Sequence, residues 1–158
     1  MEPRVQPISQ IMAVSTRLFR KALEGADAAM LRRRLEPSAN SMHWIAGHAT
    51  VVRARFSAGL GRPHELEWNQ HFRRGGTNDT EAQWPAIETI VAAWDAIDPI
   101  LQQRLSELTA EDLAATSNGV GFDGTMNGLI QLMAFHDAYH VGQLGYLRRV
   151  SGLDRLVG

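Results

Sequence analysis

The chain contains no cysteine and, among its 158 residues, a single lysine, Lys21. Without cysteine there can be no disulfide, no cysteine nucleophile and no thiolate metal ligand, so any metal must be held through nitrogen or oxygen. With one lysine there is no glycine-rich phosphate loop ending in Lys-Ser or Lys-Thr. No Glu-x-x-His pair of the di-iron bundles is present, and no His-Glu-x-x-His of the zinc proteases. Charge of one sign is also lacking: 16 basic and 17 acidic residues leave a formal net charge of −1, which predicts no nucleic-acid partner. No stretch of ~18 apolar residues occurs, and MEPRVQPISQ is not a basic segment followed by an apolar run. The expectation is a cytoplasmic protein with no membrane association.

What is present reads as helix. With 44% apolar and 21% charged residues the chain has the composition of a soluble globular protein, and its length suits one domain over 1–158 that buries roughly 70% of its extended surface. Ile8, Ile11, Met12, Leu18, Phe19, Ala22 and Leu23 repeat at helical spacing, and the pattern ends near Gly25. Residues 26–40 read as a connection holding about one helical turn. Asn40 or Ser41 can cap a second helix through Ile45, His48, Val52 and Phe56 that stops at Gly59, Gly61 and Pro63. A long connection follows, GRPHELEWNQHFRRGGTNDT, in which Trp68 and Phe72 argue against disorder. Thr80 and Gln83 have the spacing of a capping box for a third helix, with Trp84, Ile87, Val91, Trp94, Leu101, Leu105 and Leu108 as its stripe and Pro99 inside it. Thr109 and Asp112 predict a short extra turn, and Thr125 the cap of a last helix that runs to about Ser151. The fold class is all-α: a four-helix bundle with a long connection between helices 2 and 3.

Two of these helices carry histidine where a bundle buries leucine. On the last, Leu129, Met133, His136, His140, Leu144 and Leu147 share one stripe, with the two imidazoles about 40° apart around the axis and ~6 Å apart along it. On the second, His48 lies in the stripe of Ile45, Val52 and Phe56. A histidine pair at i and i+4 can chelate one ion, and a third imidazole from a facing helix completes a three-nitrogen site with open positions. Leaving these imidazoles buried and unpartnered would cost about 1–3 kcal/mol each, a penalty that a shared ion removes. His43, about 140° around the helix from His48, is excluded as a ligand by phase. His64 and His71 lie in the long connection.

The segments NSMHWIAGH at 40–48 and FHDAYHVGQLGYLRRVSGL at 135–153 resemble the two signature helices of the DinB-like (DinB/YfiT) superfamily, and WNQHFRRG at 68–75 is similar to a stretch many members carry between them. The resemblance implies the bundle with its long connection, one divalent metal ion on His48, His136 and His140, and a homodimer. It also implies a metal-dependent enzyme that transfers a low-molecular-weight thiol, as cosubstrate, to a small electrophile. The alternatives are a metal-dependent hydrolase of a small substrate and a noncatalytic metal-binding bundle.

Three nitrogens suit Zn, Ni, Cu or Fe, and Zn or Ni is the expectation. No catalytic base is named by the residues. Trp68, Phe72, Tyr139 and Gln143 are the candidate wall or lid of a substrate pocket, and Glu88, Asp95 and Asp98 are candidate acceptors for the imidazole N–H groups. Asp137, about 100° from His136, is expected to face solvent or a neighbouring helix. Ala134, Ala138, Gly142 and Gly145 form a stripe of small residues that permits close approach of a neighbour.

Overall fold

Ser41 and Thr125 start the two helices that carry the histidines. In the computed structural model, which describes residues 1–73 and 78–157, the Ser41 hydroxyl accepts from the Trp44 N–H at 3.2 Å and the Thr125 hydroxyl from the Gly128 N–H at 3.1 Å. Each satisfies a backbone donor that has no partner inside the helix. Six α-helices form among the described residues: α1 (Gln6–Leu23), α2 (Ala28–Arg32), α3 (Met42–Gly59), α4 (Ile87–Glu107), α5 (Ala110–Ala114) and α6 (Met126–Val150). The short α5 is the predicted extra turn, closed by a Thr109–Asp112 capping box, and α2 is the helical turn expected between residues 26 and 40.

The third long helix begins later than predicted. It starts at Ile87 rather than Thr80, while Asn78–Gln83 form a separate 3₁₀ turn. The reason stands in the sequence: Pro85 disfavours helical geometry at the residue before it. Trp84 therefore leaves the predicted stripe and packs against Phe72 and His43, with ring centroids 5.3 and 5.4 Å away. The Thr80 side chain, the expected cap, lies outside the described residues. Beyond this start the helix runs through Pro99 to Glu107.

The four long helices pack in a ring, α1 on α6, α6 on α3, α3 on α4 and α4 back on α1. The chain is all-helical, as expected of a bundle of this class. Along the α3/α6 seam the partners run in opposite order. Ile45 and Leu147 share one cavity wall, His48 meets His140, Phe56 meets His136, and Gly59 lies against Leu129. The two helices are thus antiparallel, and their histidines fall at one level.

The middle of the bundle is not wholly apolar. Arg53 is 0% exposed, and its guanidinium donates to the Thr16 hydroxyl at 2.9 Å and to Asp98 at 2.6 Å, and lies 4.0 Å over the Trp94 ring. Trp94 in turn stacks on Phe19 at 4.1 Å. Asp137 is also 0% exposed, 3.7 Å from the Arg53 Nε, so it faces a neighbouring helix and not solvent. Burial pushes its carboxyl up to about 7, with Arg53 opposing that rise. No helix among the described residues is long and apolar enough to cross a membrane.

Candidate metal centre

His48, His136 and His140 come together. One ring nitrogen from each lies within 4.8 Å of the others, and no other group of three or more such ligands forms among the described residues. The His136 and His140 Nε2 atoms are 3.1 Å apart. Two nitrogens bound to one ion at ~2.0–2.1 Å and angles of about 90–110° stand ~2.8–3.4 Å apart, so this edge of the triangle already has the separation an ion requires. Binding of all three would draw in any wider pair.

The rings are oriented by their other nitrogens. His48 Nδ1–H donates to the Phe72 carbonyl at 2.8 Å, and His140 Nδ1–H donates to the Gln143 side-chain oxygen at 2.8 Å. Each bond puts the proton on Nδ1 and the lone pair on Nε2, the tautomer a metal site needs. His136 Nδ1 is buried with no hydrogen-bond partner. At 3.1 Å the two Nε2 atoms are at hydrogen-bond distance, so in the metal-free protein the Nε2–H tautomer of His136 donates to His140, and a divalent cation between them would replace that proton and take a lone pair from each. Adding a further proton to the rings is disfavoured: burial first, then the neighbouring His140 and His48, hold His136 down to about 3. Burial likewise takes His140 down to about 4, against the Gln143 bond and with His48 adding to the fall. Neutral, oriented imidazoles are the form that coordinates, and the donor set fits a divalent ion.

Local sequence explains how His48 is held. Gly47 has no side chain where the Phe72 ring lies; a Cβ there would stand 2.4 Å from ring carbons. That close approach brings the 3₁₀ turn Asn69–Phe72 onto α3 and delivers the Phe72 carbonyl to His48. On the other side Trp44, one turn earlier, stacks on the His48 ring at 4.8 Å and 9°.

The remaining candidates divide. Phe72 is fully buried, and Trp68 meets it edge-on at 5.5 Å. Tyr139 is 53% exposed, its ring 5.1 Å from His140, and its hydroxyl accepts from the Gln143 amide at 3.1 Å. A cavity of about 530 Å³ lined by Asn40, Ile45, Gln143, Tyr146 and Leu147 adjoins Gln143, and none of its lining residues belongs to the connection 61–80. A larger one, about 700 Å³, lies between α1 and α4 beside Arg17, Lys21 and Val91, and no histidine lines it. Residues 74–77 of the connection lie outside the described residues.

The candidate acceptors on α4 are placed elsewhere than at the imidazoles. Asp95 pairs with Arg20 at 2.6 Å and Asp98 with Arg53, while Glu88 lines the larger cavity. Sequence reasoning also missed Arg53, which with Arg55 interrupts the otherwise apolar stretch VVRARF and is the buried one of the two. His43 stays outside the cluster, as its phase predicted: its Nε2–H donates to the Pro85 carbonyl at 2.9 Å.

A family model for the DinB superfamily matches residues 12–144, a span that contains all three histidines. The chain belongs to the DinB superfamily. No curated protein matches it. For this DinB-superfamily chain the convergence of His48, His136 and His140 in space joins the family assignment to a specific set of nitrogen atoms that could hold a metal ion.

Proposed function

We propose that this chain is a divalent-metal-dependent enzyme that transfers a low-molecular-weight thiol to a small electrophile. The observation that carries the reading is the nitrogen triangle of His48, His136 and His140: three ligands, two of them with the tautomer set by hydrogen bonds, and among the described residues no fourth protein ligand in the group. Structural sites of this kind close with four protein ligands, whereas catalytic ones keep a position for an exogenous group. Zn or Ni is the expected ion. Bound there, it supplies Lewis acidity and an open position at which a thiol or water is acidified toward neutral pH. Because the chain has no cysteine, the thiol enters as cosubstrate.

The protein's own groups then orient and select. Gln143 accepts from His140 at one end of its amide and donates to Tyr139 at the other, which places the exposed rim beside the ligand. Phe122, Phe135 and Tyr139 form a string of exposed rings with centroids 6.1 and 6.2 Å apart, ending beside His140. An electrophile with an apolar part is held against this string. The chain works as a homodimer, a reading supported by the apolar groove between α1 and α6 that Ile11, Val14 and Val157 border, and its expected compartment is the cytoplasm.

Cobalt substitution tests the reading. Adding bacillithiol, mycothiol, glutathione or a simple thiol to the Co(II) protein should produce a sulfur-to-metal charge-transfer band and, with an electrophile, a thioether product. A Co(II) spectrum unmoved by millimolar thiol would end the thiol-transfer reading.

A further inference from the structure

The buried charges centred on Arg53 join one residue from each long helix: Thr16 of α1, Arg53 of α3, Asp98 of α4 and Asp137 of α6. Apolar packing alone would allow the α3/α6 seam to slide, because dispersion and burial have little directional preference. Neither Asp137 oxygen nor the Arg53 Nε has a hydrogen-bond partner, so their 3.7 Å approach is the charge contact that compensates the buried carboxyl, and displacing it leaves that group without compensation inside the core. Arg53 is five residues beyond His48 on α3, and Asp137 follows His136 on α6, so the pair bridges the same two helices as the imidazoles from faces turned about 140° and 100° away from them. Both side chains are 0% exposed, and the Arg53 guanidinium is held from two other sides by Thr16 and Asp98. Arg53 is thereby fixed to α1 and α4, leaving Asp137 as the group through which α6 is registered against it.

We propose that Arg53, through its buried link to Asp137, is the positioning residue that sets the α3/α6 register at which His48 meets His136 and His140, and so sets divalent-metal affinity. The inference rests on the reading of the three histidines as a metal site. It assigns to Arg53 and Asp137 no contact with the ion. A slip of one residue along the seam displaces an imidazole by about 1.5 Å, enough to break a coordination bond whose tolerance is about 0.2 Å.

Zn(II) affinity should be measured by competition with a chromophoric chelator, alongside Co(II) spectra, at one temperature where every variant is folded by circular dichroism. Asp137→Asn keeps the volume and removes the charge; Arg53→Met with Asp137→Leu removes both ends of the link but also takes the arginine from Asp98, and is the more destabilising of the two. Both should bind Zn(II) at least about tenfold more weakly and shift the Co(II) ligand-field bands. Leu113→Ala, a buried truncation in α5, controls for general destabilisation: it should lower the melting temperature and leave affinity within about twofold. If the double variant does not fold, Asp137→Asn decides. Parent-like Zn(II) affinity and Co(II) bands in the folded Asp137 variants overturn the proposal, as does an equal loss of affinity in Leu113→Ala. A parent protein that binds no divalent ion overturns the metal reading itself, and this inference with it.

Discussion

Nε2 of His136 and Nε2 of His140 face each other at 3.1 Å. They come from successive turns of α6, so the backbone alone brings the two rings to one side, while α3 supplies the third ring. Metal analysis of protein purified without an affinity tag should find about one divalent ion per chain. His48→Ala, His136→Ala and His140→Ala should each lose most of it, and His43→Ala should keep it. Comparable loss in the His43 variant would show that α3 presents a different face to the site.

Acid should destabilise the metal-free protein through these rings. The fold holds His136 down to about 3 and His140 down to about 4, below the ordinary 6.5. Between about pH 6.5 and 4 these two rings give the unfolded chain two more protons than the folded one, which outweighs the one proton that Asp137, raised to about 7, holds in the folded state, and stability is lost as pH falls through that window. Urea unfolding of chelator-treated protein across that range should show a falling midpoint, and His136→Phe should flatten the slope. A midpoint independent of pH in both proteins would contradict the burial assigned to the rings.

Gly47→Ala should act on the metal from a distance. The new methyl would stand 2.4 Å from the Phe72 ring and push away the turn whose carbonyl holds His48. Overpacking of this kind costs about 1–3 kcal/mol, and loss of an outer hydrogen bond to a ligand costs about tenfold in metal affinity. Isothermal titration with Zn(II) checks the second figure. Unchanged affinity would mean that the Phe72 carbonyl is dispensable to His48.

Gln143 and Tyr139 should separate into different roles. Gln143→Leu removes the acceptor for His140 Nδ1 and should weaken metal binding about tenfold. Tyr139→Phe leaves that bond in place, since the hydroxyl bonds only the other end of the amide, and should leave the affinity within about twofold while altering the selection of electrophile. Equal effects on metal affinity would show that the pair acts as one unit at the ion.

Local order was legible without a fold. Helical phase placed His136 and His140 together and His43 apart from His48, because the direction of a side chain on a helix depends only on its position along the backbone. The cap at Thr125, and Ser41 as one of two candidates beside Asn40, were legible for the same reason, each bonding a backbone donor three residues on. The delayed start of α4 was also written locally, in Pro85, and the capping-box spacing of Thr80 and Gln83 obscured it.

The groups that hold the ligands belong to the tertiary structure. The acceptor for His48 is a backbone carbonyl 24 residues away, and a carbonyl carries no side-chain mark in a sequence, since every residue has one. The candidate carboxylates Asp95 and Asp98 had the right chemistry, but the folded chain assigns them to Arg20 and Arg53. Periodicity determined which residues share a face. Which faces meet, and which of many equivalent donors and acceptors then pair, was decided by packing, because those choices depend on distances between segments that the chain brings together only when it folds.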